Sequence, residues 1–97
     1  MVTGVGTATI NFGAAPGNPT ATLAITGQTA IAAGAFIEAW IQGDSTADHN
    51  AYEHLVIFAR LVSLACGDLV AGTGFTIYAA TELRITGQVS CRWVWSS

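Results

Sequence analysis

Val89-Ser90-Cys91-Arg92-Trp93-Val94-Trp95 decides the fold of this chain, because its residue types alternate one by one. Successive side chains of a β-strand point to opposite faces. Read as a strand, the stretch puts Val89, Cys91, Trp93 and Trp95 on one side and Ser90, Arg92 and Val94 on the other. Two indoles two residues apart either fill a core or form a contact surface.

The same period of two recurs upstream. Ala8, Ile10 and Phe12 alternate with Thr7, Thr9 and Asn11, and Ala21, Leu23 and Ile25 alternate with Thr20, Thr22 and Thr26. Each segment has an apolar face and a threonine face, as a strand with one buried side should. Gly13-Ala14-Ala15-Pro16-Gly17-Asn18-Pro19 separates them and reads as a loop, since Pro fixes φ and Gly tolerates positive φ. A third strand is expected over Ala35–Gln42, apolar on both faces except at Glu38 and Gln42. A strand of that kind is central or part of an interface. A buried Glu38 then needs a partner, and an arginine is the natural one.

Ala51–Ala65 fits two periods. Leu55, Phe58, Ala59 and Val62 fit a helix face, whereas Leu55, Ile57, Ala59 and Leu61 fit a strand. The β-favouring types Val56, Ile57, Phe58 and Val62 tip the reading to strand. Gly67-Asp68 then reads as a turn, and Gly72-Thr73-Gly74 opens a strand over Phe75–Ala79. Leu83–Ile85 is a further short strand. The hexapeptide Leu23-Ala24-Ile25-Thr26-Gly27-Gln28 returns as Leu83-Arg84-Ile85-Thr86-Gly87-Gln88; it marks either two equivalent strand ends before a glycine turn or a coincidence of common β residues. About seven to eight short strands at near-regular spacing predict one all-β domain over residues 1–97, an antiparallel β-sandwich or a jelly-roll-like barrel.

Composition narrows the function classes. Nine of 97 residues are charged, none of them lysine, and 52% are apolar. Soluble domains carry about 25% charged residues, so much of this surface must be Thr, Ser, Gly, Gln and apolar groups. Such a skin suits a subunit covered by other subunits. The cations are Arg60, Arg84 and Arg92, too few to track a phosphate backbone, which argues against nucleic-acid binding. The first charged side chain is Glu38, yet the uncharged stretch before it is broken by glycine and proline and gives no continuous apolar span for a membrane. The N-terminus lacks the basic residues and apolar block of a signal peptide, so synthesis and assembly are expected in a cytoplasm. Cys66 and Cys91 read as small buried hydrophobes; a bridge would require the fold to bring them together.

The densest polar constellation is Asp44, Asp48, His49, Glu53 and His54. Imidazoles and carboxylates are metal ligands, and Asp48, His49 and His54 are the candidates. The five-residue spacing of the histidines fits neither one helix face nor one strand face, so a polar contact loop over Asp44–His54 is the favoured reading. Ser45 or Asp48 is placed to cap a short helical turn there. No nucleophile or oxyanion arrangement accompanies these groups, and Gly72-Thr73-Gly74 lacks the third glycine, the helix and the lysine of a phosphate loop. The expectation is a protein without catalytic residues and without a cofactor. Trp40, Tyr52, Tyr78, Trp93 and Trp95 offer a sugar-stacking platform or interface anchors, and the low charge favours the interface. The packing face is assigned to Trp40, Trp93 and Trp95, with Tyr52, Asp44 and His49 on the partner-facing loop.

Asp44-Ser45-Thr46-Ala47-Asp48-His49-Asn50, Leu69-Val70-Ala71-Gly72-Thr73-Gly74-Phe75-Thr76-Ile77-Tyr78 and Arg92-Trp93-Val94-Trp95 resemble stretches of small, uncharacterised bacteriophage virion proteins, and with Glu53 and His54 they carry that likeness from Glu38 onward. The resemblance implies a structural part of a phage particle, a head decoration or a tail or fibre module, and it assigns no catalytic residue. Expected partners are sister copies, with a trimer favoured, and other virion proteins. A surface glycan is the alternative ligand.

Overall fold

A computed structural model describes residues 2–97. The chain is β-rich, with six strands in two antiparallel three-stranded sheets. The first sheet has the order β1 (Thr3–Asn11), β6 (Gln88–Ser96), β3 (Phe36–Ile41); the second has β2 (Asn18–Ile25), β5 (Gly74–Ile85), β4 (Ser63–Val70). Among the described residues there are six strands rather than seven to eight: two of the expected ones are lost, and β4 is gained across the expected Gly67-Asp68 turn. Phe75–Ala79 and Leu83–Ile85 are parts of one twelve-residue strand, and Ala51–Leu61 is helical.

The alternating segments behave as their sequences demand. Gly4, Gly6, Ala8 and Ile10 of β1 face inward with Phe12 just beyond its end, and so do Val89, Cys91, Trp93 and Trp95 of β6. Across from them, Ala21, Leu23 and Ile25 of β2 and Phe75, Ile77 and Ala79 of β5 complete one apolar cluster shared by both sheets. Phe75 meets Trp93 edge-on, with centroids 5.5 Å apart, a favoured aromatic geometry. The Trp95 indole N–H donates to Gln28 Oε1 at 3.0 Å, so its one polar atom is satisfied. Cys91 is buried and Cys66 half-buried, and both are free thiols. Burial pushes the Cys91 thiol up to about 11, with the neighbouring Cys66 adding to the shift.

The repeated hexapeptides occupy equivalent places. Each ends a strand of the second sheet, and Gly27 and Gly87 follow with the same φ of 78°, a conformation open to glycine at little cost. The turn expected at Gly67-Asp68 is instead an irregularity within β4. Pairing with β5 shifts between Gly67 and Val70, Asp68 adopts φ 52°, and its carboxylate accepts from the Tyr78 hydroxyl. The chain reverses at Ala71–Thr73, and Gly74 opens β5.

The strand expected at Ala51–Ala65 is a correction. Ala51–Glu53 form a first helical turn, His54–Phe58 a π-helical turn, and Ala59–Leu61 a last α-turn before β4. The cap is Asn50, not Ser45 or Asp48. Its side chain accepts from the Glu53 N–H at 2.8 Å, while Glu53 Oε1 accepts from the Asn50 N–H at 3.1 Å, a reciprocal capping box. The π turn places His54, Phe58 and Val62 four apart on the inner side, so Leu55, Val56 and Ile57 project outward together. No helix among the described residues is long and apolar enough to cross a membrane.

Candidate functional site

Two surfaces gather the residues that the sequence singles out. One is the loop and helix over Gly43–Leu61. The other is the outer face of the β1–β6–β3 sheet.

The loop is held from below by backbone. Asp48 Oδ2 accepts from the Gln88 N–H at 2.7 Å, and the Thr46 hydroxyl donates to the Gln88 carbonyl at 2.8 Å. His49 Nε2–H donates to the Thr86 carbonyl at 2.7 Å, and its Nδ1 stands 3.2 Å from Glu53 Oε2, an ion pair when the ring is protonated. His54 is completely buried. Its Nδ1–H donates to the Asn50 carbonyl at 2.8 Å, and its Nε2 accepts from the Ser90 N–H at 2.8 Å. Those partners fix the tautomer, with the proton on Nδ1. Phe58 packs edge-on against both imidazoles, with centroids 4.7 Å from His49 and 5.4 Å from His54. The Glu53 carboxyl is held below the ordinary range, first by the Asn50 backbone hydrogen bond and then by His49.

This geometry revises the reading of Asp48, His49 and His54 as metal candidates. Both nitrogens of His54 are committed to backbone groups, and Asp48 is occupied by the Gln88 amide. Their lone pairs point at three different places, and no group of three His, Cys, Asp or Glu side chains among the described residues is arranged around a common point. The constellation is a clip that fastens the loop and helix onto the β5–β6 turn. Asp44 lies outside the clip, exposed in the loop, and Tyr52 projects into solvent from the first helical turn.

The tryptophans do not share one face. Trp93 and Trp95 are 6% and 3% exposed and belong to the core. Trp40 lies opposite Arg92 in the ladder, on the other side of the sheet, and is 42% exposed. The third strand is likewise not buried on both sides: Phe36, Glu38 and Trp40 all look outward, with Phe36 80% exposed. An exposed Glu38 needs no arginine, and the one ion pair among the described residues is His49–Glu53.

Ladder register arranges this outer face in three rows. Thr3, Ser96 and Phe36 form the first, Val5, Val94 and Glu38 the second, and Thr7, Arg92 and Trp40 the third. Two hollows flank Val94. One of about 480 Å³ is lined by Val5, Thr7, Trp40 and Arg92, and one of about 260 Å³ by Phe36, Glu38 and Ser96. The sequence points to Trp40 but misses Val5, Phe36, Glu38 and Arg92 as its neighbours. Apolar residues on both faces of Ala35–Gln42 were the available signal.

No family model, curated protein or solved structure matches the chain.

Proposed function

We propose that this chain is a non-enzymatic structural component of a bacteriophage particle, a head decoration or a tail or fibre module, that works by packing against sister copies and neighbouring virion proteins. The observation that carries the proposal is the outer face of the first sheet, where Val5 (72% exposed), Phe36 and Trp40 present large apolar groups to solvent. An apolar patch of this kind on a charge-poor surface marks an interaction site. Tyr52, Leu55, Val56 and Ile57 form a second exposed apolar patch on the helix. Two patches on separate elements suit a subunit that touches both its own copies and a lattice. A homotrimer is the assembly we favour.

The pairing pattern supports a finer reading of the fold within this proposal. β1 pairs with β6 and β2 with β5, while β3 runs beside β4 across the two sheets. A long hairpin wrapped over itself gives this order, so we read the domain as a six-stranded β-sandwich of jelly-roll type.

A second reading has one observation in its favour. Trp40 and Arg92 stand side by side in the larger hollow, and an aromatic plane beside a hydrogen-bonding guanidinium is chemistry that recognises sugars. Sedimentation velocity across a concentration series tests the first reading, with a mass of several subunits, three in the favoured case, as the expected result. A single subunit at all concentrations, together with glycan-array binding lost in Trp40→Ala, would replace it with the second.

A further inference from the structure

We infer that the outer face of the β1–β6–β3 sheet receives a second copy of this chain, with Glu38 of one copy set against Arg92 of the other. This deepens the structural reading above and rests on it.

Charge selects the occupant. Among Val5, Phe36, Trp40, Val94 and their hydroxyl-bearing neighbours, this face carries one carboxylate, Glu38, and one guanidinium, Arg92. They are diagonal neighbours across the β3–β6 ladder, since Glu38 opposes Val94 and Arg92 opposes Trp40. Diagonal positions lie about 7–8 Å apart, and the two groups do not form an ion pair within the chain, where the one such pair among the described residues is His49–Glu53. An uncharged apolar partner would bury both charges without compensation, which is costly. A strongly acidic or basic partner would satisfy one and repel the other. A second copy presents an arginine to the glutamate and a glutamate to the arginine, so the face complements itself.

Shape agrees with charge. Phe36 stands proud at the rim of the face, and the hollow beside Trp40 and Arg92, at about 480 Å³, is the larger of the two flanking Val94. Each copy thus supplies an aromatic knob and a recess. The pairing works in a two-fold contact, where both ion pairs form in one interface, and around a three-fold ring, where each interface holds one.

Charge reversal tests the pairing. Glu38 and Arg92 are exposed, so Glu38→Arg and Arg92→Glu are expected to fold, as checked by thermal melts. Each variant alone should dissociate at least about tenfold more readily than wild type in sedimentation velocity, and the double variant Glu38→Arg/Arg92→Glu should restore assembly, because every contact then again joins opposite charges in either symmetry. Impaired single variants whose combination in one chain stays impaired would overturn the Glu38–Arg92 pairing. Single variants that assemble as wild type would remove this face from the interface and leave the oligomer reading standing. A wild-type chain that stays a single subunit would overturn both.

Discussion

Gly4 sits directly across the β1–β6 ladder from Trp95, and the indole fills the space that a side chain on Gly4 would need. Gly6 stands in the same relation to Trp93. A Cβ on Gly4 would lie 2.5 Å from Trp95 Cε2, and one on Gly6 2.7 Å from Trp93 Cε2. The two indoles therefore lie flat over the neighbouring strand because that strand has bare backbone beneath them.

Gly4→Ala and Gly6→Ala should each destabilise the fold by about 1–3 kcal/mol, the cost of overpacking a filled core. In a strand without such a neighbour the same change would help by roughly 0.5–1 kcal/mol, since glycine loses more entropy on folding. The sign in urea unfolding is therefore diagnostic. Trp95→Phe should recover part of the loss in the Gly4→Ala background. Trp93→Ala, which empties a buried site beside Phe75, should cost about 3–5 kcal/mol.

His54→Ala should strand a buried backbone donor. The Ser90 N–H donates to His54 Nε2, and both residues are buried. A buried donor left unpaired costs about 1–3 kcal/mol, and the lost ring adds a cavity. Hydrogen exchange at the Ser90 amide should quicken in the variant beyond the change at Ile10 or Ile77. Equal changes at all three would show that the histidine merely fills space.

Little of this arrangement is visible in a linear reading. The alternation at Val89–Trp95, Thr7–Phe12 and Thr20–Thr26 specifies strands and their inner faces because polar and apolar residues there take turns at every position but Val94 and Ala24. Ala35–Gln42 gives the strand but not the side, since a pattern apolar on both faces cannot tell Ala39, which faces the core, from Trp40, which does not. Leu55–Val62 misleads for another reason: the buried residues His54, Phe58 and Val62 fall four apart, a helical spacing, but the row opens on a polar side chain, while the aliphatics Leu55, Val56 and Ile57 lie outside. The Asp48–His54 cluster is plain as a cluster. Its targets at Thr86, Gln88 and Ser90 lie about forty residues away, and only the fold brings them beneath it.

Acid should loosen the clip through Glu53. Its carboxyl ionises below the ordinary 4.5 in the folded chain because the Asn50 N–H and His49 favour the charged form. A depressed acid contributes stability that is present above its unfolded value and disappears as pH falls through the folded one. Thermal midpoints should therefore fall more steeply from about pH 5 downward in wild type than in Glu53→Gln. Asn50→Ala, which removes the other half of the capping box, should cost about 1 kcal/mol at neutral pH.

Alkali acts on the core through Cys91. Its folded thiol ionises near 11 against an ordinary 9.0, chiefly because burial disfavours the thiolate. The unfolded chain ionises first, so stability should drop progressively between those two values. Cys91→Ala should flatten that part of the pH profile. In native buffer near neutrality a thiol reagent should label Cys66 well before Cys91, since the half-buried group is the more accessible. Equal labelling rates would mean that the β6 core opens freely.

Trp40 reports on whatever covers the first sheet. It is the exposed indole of three, while Trp93 and Trp95 are sealed inside. In a dissociated subunit, iodide or acrylamide should quench one component of the emission, and Trp40→Phe should remove it. Raising the protein concentration should protect that same component if sister copies meet on this face, because the ring lies in the row with Arg92 and borders the larger hollow. Assembly that leaves Trp40 fully quenchable would move the contact elsewhere, with the helix patch around Tyr52 and Leu55 next in order of exposure. The experiment separates the two surfaces without altering either, since the reporter is native to one and absent from the other.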